Sequence, residues 1–190
     1  MLSNFQTYFR LGIQHITDWQ AYDHLAFVVA LCAVYRPSDW RRLLILVTAF
    51  TVGHSLTLAL AALRIIAPPA ALIEFLIPLT ILLTSIFNLF PTKNRGLNRL
   101  KYGLALLFGL IHGMGFFAYF SSLLGSASNI VEPLFAFNVG IEVGQLLIVT
   151  VVFLLQLFAL DVLKISQRLW IIILSSLTAC VALSLLLQQM

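Results

Sequence analysis

Six apolar runs dominate this chain of 190 residues and constrain its fold more than any other feature. They cover about 20–36, 42–63, 70–90, 101–124, 132–159 and 168–188. A helix of roughly 20 residues crosses the hydrocarbon core of a bilayer, where only helices and closed barrels satisfy their own backbone polar groups. The pattern predicts an all-α integral membrane protein with six transmembrane helices. Only 9% of the residues are charged, far below the roughly 25% of a soluble domain. Residues 1–190 therefore read as one membrane domain, with the lipid bilayer as its main partner. The net charge of +4 sits in short loops and gives no nucleic-acid signal. Pro68-Pro69, Pro91 and Pro133 stand at run edges, where helices start or stop, whereas Pro78 falls inside the third run and should kink it. Cys32 and Cys180 lie alone in apolar runs and read as small hydrophobic side chains.

The basic residues set the orientation. Arg36, Arg41 and Arg42 lie at the first loop, Lys93, Arg95, Arg99 and Lys101 at the third, and Lys164 and Arg168 at the fifth. Only Arg10 and Arg64 fall elsewhere, and this bias places the three basic loops in the cytoplasm. Both termini then face outward. His15, Asp23, His24, Glu74 and Glu132 lie near the outer surface, and His54, His112 and Glu142 lie deeper, as a series from outside inward. Residues 1–17 repeat Phe5, Tyr8, Phe9, Gly12, Ile13 and Ile16 at helical spacing, which predicts an amphipathic interfacial helix on the outer membrane face. Gln6, Arg10, His15 and Asp18 argue against a cleavable signal there. Three runs on each side of the basic 91–101 loop suggest a 3+3 inverted repeat, pairing Gly53-His54 with Gly140-Ile141-Glu142 and His24 with His112.

Ionisable groups at membrane depth each cost roughly 2.5–3.5 kcal/mol to insert. Several of them on several helices point to a shared site, and imidazole with carboxylate is transition-metal ligand chemistry. The candidate metal ligands are His15, Asp23, His24, His54, His112 and Glu142. Asp23 and His24, adjacent and about 100° apart on a helix, suit one ion only at a helix start. Otherwise Asp23 orients the His24 ring or merely caps the helix. Thr48, Thr51 and Ser55 form a polar stripe beside His54, which serves either a site or helix packing. His112 lies within the Gly109–Gly113 pair, a sign of close helix approach. Asn138, Glu142 and Gln145 share one helix face beside Gly140 and Gly144. Glu142 there binds a cation or hydrogen-bonds a histidine. Thr51, Ser55, Asn138 and Gln145 are supporting polar groups.

Gly12-Ile13-Gln14-His15-Ile16 followed by Asp23-His24-Leu25 resembles the opening motif of the HupE/UreJ membrane proteins. Phe50–Leu58, Phe108–Gly113 and Phe137–Gln145 resemble that family's later motifs, especially in its second branch. The resemblance spans most of the chain in the same order. Members are regarded as nickel or cobalt permeases and are found beside hydrogenase and urease genes. The resemblance implies metal handling by His15, Asp23, His24 and His112, and the inner membrane of a bacterium as the location. The chain departs from the nickel members in a longer spacer before Asp23-His24. Phe108 and Gly115 also stand where those members carry a second His and a Glu.

The leading expectation is inward transport of a divalent transition-metal ion, nickel or cobalt foremost, with zinc and iron also suited to these ligands. No nucleotide-binding motif is present. An intramembrane zinc-dependent hydrolase is the alternative, and a metal-free structural or assembly subunit is a third reading. A transporter was expected to stagger its sites across the membrane, and an enzyme to gather them at one compact place.

Overall fold

The computed structural model describes residues 3–19, 22–63, 65–66, 69–90, 95–116, 120, 122 and 130–189, with the backbone alone at 95–99. Seven α-helices and no strand occur among them. These are α1 (Asn4–Thr17), α2 (Tyr22–Cys32), α3 (Trp40–Ala62), α4 (Ala70–Leu89), α5 (Arg95–Gly115), α6 (Val131–Leu157) and α7 (Gln167–Leu187). Ser3 starts α1 with a reciprocal cap, its hydroxyl accepting from the Gln6 amide and its own amide donating to the Gln6 side chain. Ser166 caps α7 in the same position, accepting from the Leu169 amide at 3.2 Å. A π turn, Phe158–Val162, ends α6. Lys164, at φ 56°, then reverses the chain.

Four helices are long and apolar enough to cross a bilayer: α3 with the short turn before it (Pro37–Ala62), α4, α6 with its π turn (Val131–Val162), and α7. They match the second, third, fifth and sixth expected runs. The first run, expected over 20–36, yields only the 11 residues of α2, about 16 Å at 1.5 Å per residue. That helix alone is too short for a ~30 Å core. In the fourth run, expected over 101–124, the helix ends at Gly115, and most of 117–129 lies outside the described residues.

The surface is apolar and the interior holds the polar side chains. Leu154, Leu177, Val151 and Phe87 are more than half exposed, whereas Thr51, Thr80, Ser85, Gln145 and Thr178 are buried. That inversion suits a bundle in lipid, where hydrogen bonds and close packing, not hydrophobic burial, hold helices together.

Glycine makes two of the pairings. Between α3 and α5, a Cβ on Gly109 would strike the Phe50 carbonyl, and one on Gly113 would strike His54 and Thr57. Between α1 and α6, a Cβ on Gly12 would strike the Phe137 carbonyl, and one on Gly140 the Phe9 carbonyl. Both pairs run parallel. Phe50 and Thr57 meet Gly109 and Gly113 in order, and Phe5, Gly12 and Ile16 meet Phe135, Gly140 and Gly144 in order. The helix expected at 1–17 thus exists, but its apolar face is covered by α6. It lies along the bundle instead of on a membrane surface.

α2 runs through the middle, touching α1, α3, α4, α6 and α7. Asn88 of α4 donates to the Ala30 carbonyl at 2.7 Å, and Gln156 of α6 to the Tyr35 carbonyl at 3.0 Å. α4 and α7 pair through Ser85 and Thr178, 2.7 Å apart. At one pole Arg36 donates to Gln167 at 3.3 Å, and Arg168 to the Leu89 carbonyl at 2.9 Å. The described basic loop residues 36 and 168 therefore gather at one end of the bundle. α1, α2, α4 and α6 run toward that pole, and α3, α5 and α7 run away from it.

Candidate metal centre

All four histidines converge, although they come from four helices. His15 lies near the end of α1, His24 in the first turn of α2, His54 in α3 and His112 near the end of α5. Ring centroids are 4.5 Å apart for His15–His24, 5.7 Å for His15–His54, 5.8 Å for His24–His54 and 4.9 Å for His24–His112. The glycine crossings make this possible, because Gly113 brings α5 onto α3 beside His54 and Gly12 brings α1 onto α6 beside His15. His15, His24 and His54 each offer a ligand atom within 4.8 Å of the other two. Imidazoles holding one ion at about 2.0–2.1 Å stand about 3.4 Å apart in a tetrahedron, so modest ring rotation closes the site.

The hydrogen bonds set the tautomers. His24 Nδ1 lies 3.0 Å from Asp23 Oδ1, which also accepts from the His24 amide at 2.8 Å. A carboxylate only accepts, so Nδ1 carries the proton and Nε2 keeps its lone pair. On His112, Nε2 lies 2.9 Å from the Thr80 hydroxyl. That hydroxyl gives its single hydrogen to the Ile77 carbonyl at 2.7 Å. His112 Nε2 must therefore donate, which leaves the lone pair on Nδ1. His24 Nε2, His112 Nδ1, His15 Nε2 and both nitrogens of His54 are buried without a hydrogen-bond partner. Each such atom costs roughly 1–3 kcal/mol, and these four neighbouring rings hold five of them.

An open cleft of about 610 Å³ reaches this centre, with His15, Asp23 and His24 on its floor. Leu11, Pro78 and Phe116 are among its walls. The opposite side is closed by aromatic rings. Phe27 stacks on Phe50 at 4.8 Å and meets Phe108 at 6.0 Å, and both Phe27 and Phe50 lie against His112, at 5.0 and 5.1 Å.

Glu142 does not join the histidines. Its Oε1 accepts from Thr48 at 2.6 Å, and one turn on, Gln145 accepts from Thr51 at 2.8 Å. Both bonds bridge α3 and α6. Asn138 donates to its own helix at the Leu134 carbonyl, and Ser55 to the Thr51 carbonyl. Of the six candidate ligands, the structure brings four together, attaches Asp23 to them through His24, and leaves Glu142 in a separate helix–helix seam. The expected series of polar groups staggered along the bundle is replaced by one compact cluster, because α1 ends and α2 begins at the same spot, which sets His24 next to His15. Sequence reasoning missed Thr80, which orients His112. Thr80, Thr84 and Asn88 recur at four-residue spacing in the sequence, but nothing in that spacing names His112 as a partner.

No curated protein and no solved structure matches the chain. The family model for the HupE / UreJ protein matches residues 1–189. With four helices long and apolar enough to cross a bilayer and a match of that extent, the chain is a multi-pass membrane protein of the HupE/UreJ family.

Proposed function

We propose that this protein carries a divalent transition-metal ion, nickel or cobalt foremost, inward across the bacterial inner membrane through the four-histidine centre. One observation carries the reading: ligand atoms of His15, His24 and His54 lie within 4.8 Å of one another, the His112 ring stands 4.9 Å from that of His24, and each of the four rings keeps a buried nitrogen without a hydrogen-bond partner. Neutral imidazole suits Ni, Co, Zn and Fe, and Asp23 and Thr80 hold two of the rings in the ligand tautomer.

The topology supports transport. With the basic pole in the cytoplasm, the cleft opens outward and the Phe27–Phe50–Phe108 layer seals the inner side. α1 and α2 follow each other in the same direction. Together they measure about 37 Å at 1.5 Å per residue, so they form one crossing, made of two helices that meet beside the centre. Counted this way the chain crosses six times with both termini outside. The two glycine crossings are the halves of a 3+3 inverted repeat. Gly12 and His15 of α1 answer Gly109 and His112 of α5, and Phe50-Thr51-Val52-Gly53 of α3 answers Phe137-Asn138-Val139-Gly140 of α6. A broken helix at a repeat interface, near one central site, is the architecture of alternating access. The membrane potential drives a cation inward with about 2.3 kcal/mol per charge per 100 mV.

The compact site also favours a second reading, a zinc-dependent hydrolase within the membrane, with the cleft admitting its substrate. Proteoliposomes separate the two. With an inside-negative potential, Ni²⁺ or Co²⁺ should accumulate in vesicles carrying the wild-type protein and not in those carrying His54→Ala. Stoichiometric metal binding without any flux would sink transport and leave the hydrolase.

A further inference from the structure

The mouth of the cleft differs in chemistry from its floor. Asp18, in the α1–α2 turn, and Glu74, on α4, are exposed carboxylates that line it, with Gln14, Tyr22 and Gln189 beside them. Among the described residues that line the cleft there is no Lys or Arg, although the chain holds 11 of these against 7 Asp and Glu. Pro78, also in the wall, has no amide hydrogen for the carbonyl of Glu74 four residues earlier, so a backbone oxygen is released from the helix ladder next to a carboxylate. Below them His24 is 4% exposed, lines the cleft, and keeps Nε2 without a partner. Oxygen donors thus stand at the mouth and nitrogen donors at the floor. Carboxylate, carbonyl and water suit a hard, hydrated cation, and imidazole suits a transition metal that has shed water. An ion with six waters fills about 200 Å³ at ~30 Å³ per water, well within the 610 Å³ of the cleft. Acidic clefts with low-dielectric walls also focus the field that draws a cation in.

We infer that the mouth of the cleft is a second, outer cation site, in which Asp18 and Glu74 hold a hydrated divalent ion before it reaches the histidines. The site serves the transport proposed above, and it binds independently of the histidine centre.

Mn²⁺, which prefers oxygen ligands, is the probe. The full-length His54→Ala protein in nanodiscs of neutral lipid is titrated with Mn²⁺ and followed by electron paramagnetic resonance, with and without the added pair Asp18→Asn and Glu74→Gln. One Mn²⁺ per chain is expected, with a spectrum close to that of the hydrated ion, weakened at least tenfold in the carboxamide pair. Both side chains are exposed and keep their shape on substitution. An unchanged Co²⁺ visible spectrum of the same pair in the histidine-intact protein confirms that the fold survives. No Mn²⁺ above the empty-nanodisc blank, or equal binding in the carboxamide pair, overturns the site. If wild type shows no Co²⁺–imidazole bands while Mn²⁺ binding still follows Asp18 and Glu74, the histidine centre falls and the outer site stands.

Discussion

The histidine centre and the α3–α6 seam are built from the same material, polar side chains buried between helices, and use it in opposite ways. In the seam, Glu142 is tied to Thr48 and Gln145 to Thr51, each bond joining one helix to the other. In the centre, side-chain partners approach the rings from behind. Asp23 accepts from Nδ1 of His24, Thr80 accepts from Nε2 of His112, and the other nitrogens of these two rings are left without a partner. Polar groups that bond across an interface hold it together. The seam also leaves atoms open, Glu142 Oε2 and Gln145 Nε2 among them, but in the centre the open atoms are imidazole nitrogens on four neighbouring rings. Burial alone does not distinguish them, since Gln145 and His54 are both fully buried.

The contrast can be broken by substitution. His54→Ala should have the largest effect. Removing a ring with both nitrogens open should lower Co²⁺ affinity by more than the roughly 10–100-fold that an orienting partner is worth, read from the visible absorbance of bound Co²⁺ during titration. Retained affinity would mean that the centre is only packed. Asp23→Asn keeps the shape but loses the charge that fixes the His24 tautomer. A loss of about tenfold is expected in the same titration, with the stoichiometry unchanged. Thr80→Val releases His112 Nε2 and lets the lone pair move to the wrong nitrogen. Affinity should fall by a few-fold, toward the low end of that range, and an effect as large as that of His54→Ala would show Thr80 to be part of the helix packing as well. Substitutions in the seam sharpen the comparison from the other side. Glu142→Gln should leave Co²⁺ affinity within about twofold, and Thr51→Val should cost about 0.6 kcal/mol of stability, as interhelical hydrogen bonds in membranes do. Unfolding in mixed micelles measures the second. A collapse of metal binding in Glu142→Gln would return that carboxylate to the ligand set.

Much of the fold was legible, and what was missed has identifiable physical causes. The lengths of the runs that become α3, α4, α6 and α7 carried over because hydrophobic thickness dictates them. The division into α1 and α2 did not, since an apolar run does not reveal where one helix stops and the next starts. The amphipathic face of residues 1–17 showed that something must cover Phe9, Gly12 and Ile16, and left open whether lipid or α6 would do so. The partner became visible only through the backbone contact at Gly12 and Gly140. The shared spacing of Gly12–His15 and Gly109–His112 was present in the sequence and would have paired α1 with α5. Glu142 was misplaced because its helix face was clear while the identity of the facing helix was not.

The parallel seating of α1 on α6 also has a consequence for biosynthesis. His15 is among the first residues to leave the ribosome, yet the groove that receives its helix is made by Phe137, Gly140 and Gly144, more than a hundred residues later. Contacts so distant along the chain form late and slowly. α1 must therefore wait until the fifth long run has entered the bilayer. A chain whose translation stops after His112 but before that groove holds His24, His54 and His112 without a seat for His15, so incomplete products cannot assemble the full set of rings.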